Sequence, residues 1–173
     1  FDGVETTVNK LIDEVFIEGY RLNPNEKVDY VGQRLIVKEI VQRFALRILA
    51  LDKKRAPFIM EATEAQGLLF NVKIDHAPGY AIISGKIDRI DSKDNELRII
   101  DYKTGKDKLE FDSMDSLFER DVNRNKAAFQ TFLYALLYKA NNPSPGFHVI
   151  PGLINRDHLF SKGDFGFRIK KGN

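Results

Sequence analysis

Three side chains in one short stretch carry most of the chemistry this sequence offers. From Gly85 to Lys106 the chain reads GKIDRIDSKDNELRIIDYKTGK, with Asp88, Asp101 and Lys103 set among apolar, β-branched residues. Ala81–Asp91 and Leu97–Lys103 have strand composition and Ser92–Glu96 is a polar turn, the pattern of a β-hairpin. Asp and Asn tolerate the positive φ of a two-residue turn, so Asp94-Asn95 suit its centre. Asp88 then stands directly opposite Asp101, and Lys103 projects from the same face two residues further along. Like charges opposite one another destabilise a strand pair, so the constellation reads as one kept for chemistry. A one-residue slip would separate the two aspartates, so the reading depends on register. The chemistry is that of a hard divalent cation, which takes carboxylate oxygens with water and substrate phosphate completing its shell. A lysine beside it can orient a water and offset charge on a phosphoryl transition state.

Composition narrows the field. The 173 residues, 43% of them hydrophobic and 11% aromatic, suit one globular domain with a real core. No apolar run approaches a membrane span, and the chain is expected to be cytoplasmic. The absence of cysteine excludes disulfides, thiolate zinc and an iron–sulfur cluster. With three histidines there is no credible zinc site. The acidic run from Asp88 to Glu96 lacks EF-hand spacing, and neither a P-loop nor an H-E-x-x-H motif is present. A net charge of +2 does not announce a nucleic-acid binder, although local field matters more than the total. Phe1 stands where a start methionine would, and we expect a fragment of a longer protein.

The elements that must position these groups can be read in order. Val8, Leu11, Ile12, Val15 and Phe16 recur at helical spacing within Val4–Tyr20, ending near Gly19. A second helix is expected from about Asp29 to Leu51, burying Val37, Ile40, Val41, Phe44, Ile48 and Leu51. Phe58–Phe70 is mixed, and Leu68–Asp75 alternates like a strand. Lys106–Asn125 reads as a charged surface connection with a helical turn at Ser116–Arg120. Lys126–Ala140 is a helix whose stripe through Phe129, Phe132, Leu133, Leu136 and Leu137 should pack on a sheet; Gln130 and Tyr134 share a face. His148–Asn155 is a last strand, expected to be marginal or bulged at Pro151-Gly152. Beyond it lies a polar, Gly-rich tail with Arg168, Lys170 and Lys171.

Asp88, followed by Asp101-Tyr102-Lys103 within G-x-I-D-R-I-D…D-Y-K-T-G-K, resembles the PD-(D/E)XK nucleases, and more narrowly the RecB/AddB-type nuclease domains. The Gln130–Tyr134 spacing is similar to the Q-x-x-x-Y motif that follows D-x-K in those domains. The resemblance covers about Asp29–Asn155. It implies an α/β (α+β) core with a central mixed sheet flanked by helices. It further implies a metal-dependent DNA nuclease, as the exonuclease domain of a helicase–nuclease in DNA repair. Asp88, Asp101, Glu39 and the main-chain carbonyl of Tyr102 would hold one or two Mg²⁺ or Mn²⁺, and Lys103 would position the attacking water. Glu39 matches the acidic ligand on the helix before the sheet, with Glu61 as its alternative. On residues alone, Glu39 with Arg43 is a surface pair at i,i+4. Gln130 and Tyr134 would line the DNA groove; Arg89 and Lys106 are candidate phosphate contacts, Arg89 equally a salt-bridged residue. The histidine that many relatives carry in the early helix is absent at Gly32–Ile36. The partners implied are DNA and a helicase domain or subunit. A structure-specific endonuclease with the same core and a non-catalytic DNA-binding module are the competing readings.

Overall fold

A computed structural model describes residues 3–25, 27–76, 78–143, 146–161 and 165–170. The chain divides into two compact units, Phe1–Ala56 and Pro57–Asn173.

The first unit is a helix pair, α1 (Val4–Tyr20) and α2 (Gln33–Arg55). Val8, Ile12 and Phe16 lie one helical turn apart on α1 and are buried with Val28, against Tyr30, Ala45 and Leu46. Leu11 and Val15, on the other side of α1, are exposed. The expected stripe of α2 is not buried: Val37, Ile40 and Val41 are exposed, and no α2 residue is fully buried. With apolar residues on more than one side, α2 has only its Ala45–Leu46 side covered by the small α1 core. It starts later than expected, after Gly32, and ends at Arg55. Ala56 then turns extended (ψ 146°), as a residue before proline tends to.

The second unit is built on a mixed four-stranded sheet in the order β1–β2–β3–β5, with β1 (Ile59–Lys73), β2 (Tyr80–Lys93), β3 (Glu96–Lys103) and β5 (His148–Asn155). β1–β2 and β2–β3 are antiparallel, and β3–β5 is parallel. The connection after β3 contributes β4 (Glu110–Phe111) and a 3₁₀ turn at Asp115–Leu117, then α3 (Lys126–Asn141). The tail is structured: α4 (Arg156–Ser161) follows β5, and β6 (Arg168–Ile169) pairs with β4, whereas Lys171 lies outside the described residues.

The chain chooses these elements for local reasons. The Asn125 side chain caps α3 by accepting from the Ala128 N–H at 2.9 Å. The face α3 buries overlaps the expected stripe in part, since Leu137 is fully buried as expected. Ala127, Ala128, Thr131 and Leu137 are buried and Leu136 is exposed. Small residues there let Tyr134, Ala135 and Tyr138 reach Ile87, Ile90, Leu97 and Ile99 of the sheet. Phe129 and Phe132 pack instead with Phe111, Leu117 and Phe167. β5 is regular rather than bulged, pairing residue by residue with β3. The Leu153 N–H points away from β3 to the Phe165 carbonyl, at 2.8 Å. Pro151, two residues earlier, shares that direction, so its missing N–H costs the β3–β5 ladder nothing.

Candidate active site

The hairpin β2–β3 has the register the chemistry requires. Pairing runs from Lys93↔Glu96 to Arg89↔Ile100, closing on Asp94-Asn95, with Asp94 at φ 53°. The ladder ends at Arg89↔Ile100, one step short of Asp88 and Asp101. There the backbone ladder gives way to a side chain: the Tyr102 N–H donates to Asp88 Oδ2 at 2.8 Å. The carboxylate of Asp88 is thereby tied to the D-Y-K segment. Asp101 and Lys103 lie on the face that α3 covers, within reach of Tyr134.

Asp101 is 2% exposed, and Lys103 Nζ stands 2.7 Å from its Oδ2. The ammonium approaches off the hydrogen-bonding direction, and that buried oxygen has no hydrogen bond among the described residues. Burial pushes the Asp101 carboxyl above its usual value; Lys103 opposes this, while Asp88 and Asp107 push the same way. Burial pulls Lys103 down, but the ion pair with Asp101, with the fields of Asp101, Asp88 and Tyr134, leaves it raised overall. Lys103 is thereby held as a cation beside the Asp101 and Asp88 carboxyl groups. The donor types are those a hard cation takes: two carboxyl groups, one with a buried oxygen lacking a hydrogen bond. Among the described residues no three carboxylate or imidazole side chains are gathered closely enough to hold a metal ion.

Glu61 does not supply a third acid here. It sits at a bulge in β1, between Met60↔Asp91 and Ala62↔Ile90, and its carboxylate accepts from the Ser92 hydroxyl. Ser92 is four residues along β2 from Asp88, roughly 13 Å at the rise of a strand. Glu39 lies exposed on α2, in the first unit.

Gln130 and Tyr134 do share a face of α3, and Gln130 Nε2 donates to the Tyr134 hydroxyl at 2.6 Å. Tyr134 lies over β2 at Gly85: a Cβ there would come within 2.6 Å of its Cε1. Gly85 is what lets the ring settle on the strand.

Arg89 must be withdrawn from the phosphate contacts. It is 3% exposed, and its Nε donates to Asp91 Oδ2 at 2.8 Å. Asp91 is fully buried and also receives Arg98, which donates from Nε and Nη2 to its two oxygens, each at 2.8 Å. Arg89 Nη1 reaches the Tyr102 hydroxyl at 3.3 Å, so this network grips the tyrosine whose peptide N–H holds Asp88. Lys106 is exposed beyond β3. Two further residues at the site escaped the sequence reading. The Asp107 carboxylate lies near enough to Asp101 to act on its charge. Asn155, paired with Lys103 across β3–β5, donates to the Asp107 carbonyl and accepts from the His158 N–H at 3.0 Å. It ties the turn after D-Y-K to the end of β5. Neither residue belongs to a spacing motif, and β3–β5 pairing is the signal that would have pointed to Asn155.

A mixed sheet with a D…D-x-K hairpin at its centre and a Q-x-x-x-Y helix across it defines a nuclease-type core. The chain belongs to the PD-(D/E)XK nuclease superfamily, whose family model matches residues 3–155. Members of that superfamily are typically nucleases that use divalent metal ions. No curated protein and no solved structure gives a significant match. Among the described residues no helix is long and apolar enough to cross a membrane.

Proposed function

We propose that this chain hydrolyses DNA phosphodiester bonds with Mg²⁺ or Mn²⁺, as the exonuclease domain of a RecB/AddB-like helicase–nuclease. The observation that supports the reading is that the Asp88 carboxylate is tied to the D-Y-K segment through Tyr102 N–H while Lys103 pairs with Asp101. Asp88, Asp101 and the Tyr102 carbonyl would hold the cation, and Glu39 is retained as third acid on the resemblance alone. When bound, a divalent cation lowers the pKa of a coordinated water and neutralises charge on the scissile phosphate.

The chain's own residues do the positioning. Tyr102 N–H fixes one Asp88 oxygen. Lys103 has a raised proton affinity and stays a cation, suited to orient the attacking water and stabilise the developing phosphorane. Tyr134, steered by Gln130, borders the same face and would meet the sugar or phosphate of the bound strand. Holding water and phosphorus in line is the larger part of what such a site contributes.

The test uses labelled linear DNA, single- and double-stranded, and a covalently closed circle, each with Mg²⁺, Mn²⁺ or EDTA. Metal-dependent loss of the linear species with the circle intact supports exonuclease action. Nicking of the circle would move the reading to an endonuclease. A folded protein that binds DNA and cleaves none of the substrates would make it a binding module.

A further inference from the structure

The connection between β3 and α3 takes almost no part in the chemistry above, yet it walls an open cleft of about 330 Å³. Lys106 and Asp107, which follow Lys103 closely in the chain, line part of it. Lys106, Lys108, Arg124 and Lys126 face it, and none of the four forms an ion pair among the described residues; Lys170 pairs with Asp112 at 2.7 Å. Asp107, Glu110, Glu119 and Asp121 share the lining, so its net charge is close to zero. Field alone would not hold a phosphate chain there.

Beside the cleft stands a feature that costs stability. Phe118 is 70% exposed, with Met114 and Val122 also exposed on the same connection. Leaving such a side chain in water forgoes the gain of burying it. The ring is not loose: it sits edge-to-face on Phe129 at 5.6 Å, and the Arg124 guanidinium lies 5.1 Å from the Phe129 centroid. Arg124 Nε is buried without a hydrogen-bond partner among the described residues. A braced, solvent-facing aromatic ring next to unpaired cations is the arrangement that takes unpaired bases: the ring stacks, and the cations receive phosphates. A duplex keeps its bases stacked inside and offers a free face only at an end.

We propose that Phe118 is a stacking platform for a base of single-stranded DNA, with Arg124, Lys126 and Lys106 receiving the adjoining phosphates. The strand would thereby be led along the cleft to Lys103. The direction of the path rests on the nuclease reading; the binding itself does not.

The chain contains no tryptophan, so Phe118→Trp introduces a single fluorophore at the platform. The experiment titrates this variant in EDTA, where no cleavage occurs, with a thymidine oligonucleotide and with a closed-ended duplex hairpin of equal length. The expected result is quenching by the single strand and little change with the duplex. Phe118→Ala, an exposed change that leaves the fold intact by circular dichroism, should weaken oligonucleotide binding about 5- to 150-fold, the equivalent of one base–aromatic stack. Because the lining is nearly neutral, log affinity should fall with log salt at a slope of only about one to three phosphates. Unchanged fluorescence on saturation, parent-like binding by Phe118→Ala, or equal quenching by duplex overturns the proposal while leaving the nuclease reading in place. Quenching without metal-dependent cleavage by the parent would do the reverse.

Discussion

Replacing Gly85 by alanine probes how Tyr134 is held over the hairpin. The backbone at Gly85 permits an L residue, and in a strand interior alanine is favoured over glycine by roughly 0.5–1 kcal/mol. Against that, the new Cβ would lie 2.6 Å from Tyr134 Cε1 and 3.2 Å from Cδ1, where carbon atoms prefer about 3.5–4.0 Å. Its approach to Leu137 Cδ1, at 3.5 Å, is an ordinary contact. The ring must retreat by about 1 Å, and overpacking of this kind costs about 1–3 kcal/mol. The net expectation is a destabilisation of roughly 0.5–2 kcal/mol, read from urea unfolding. Retreat also displaces the hydroxyl from Gln130, so cleavage should fall more than stability accounts for. The double variant Gly85→Ala, Tyr134→Ala removes the clash: it should recover stability lost to Gly85→Ala, apart from the lost Tyr packing, and no activity. A Gly85→Ala protein with parental stability and cleavage would refute the placement of Tyr134.

Three further outcomes are expected. The Asp101 carboxyl is raised above 3.8 in the folded state, so ionising it as pH rises through that window costs stability. Asp101→Asn should therefore be at least as stable as the parent in EDTA at pH 7, although Lys103 loses its ion pair, and the difference should close near pH 3; a less stable variant at pH 7 contradicts this. Metal activation of the parent should fall off on acidification at a higher pH than an ordinary aspartate would give. Asp91→Ala leaves the buried Arg89 and the partly buried Arg98 without their shared carboxylate and should cost about 3–5 kcal/mol by chemical denaturation. A loss under about 1 kcal/mol would mean the network does not brace Tyr102.

The hairpin was legible because apolar alternation, turn residues and paired acids agreed on one register. The same register sets Arg98 opposite Asp91, with Arg89 two residues away on that face, so the pattern itself assigns Arg89 to the buried network. β1 was not legible as one strand. Bulges at Glu61 and between Ala65 and Leu68, with Glu64 and Gly67 at positive φ, break the alternation on which strand reading depends. On α3, Ala127, Ala128 and Thr131 do the packing, and small residues give no hydrophobic signal to compete with the phenylalanines beside them. α2 has apolar residues in excess of what α1 covers, so its periodicity could not say which would be buried.

The central claim is that Lys103 acts on the scissile phosphate beside the Asp88–Asp101 pair, and Lys103→Ala tests it most directly. Single-turnover cleavage of linear DNA with saturating Mg²⁺ should slow by ~10²–10³-fold, the loss of one preorganised electrostatic donor, while DNA affinity in EDTA changes little. Cleavage by Lys103→Ala at the parental rate would contradict the assignment of the hairpin as the active site.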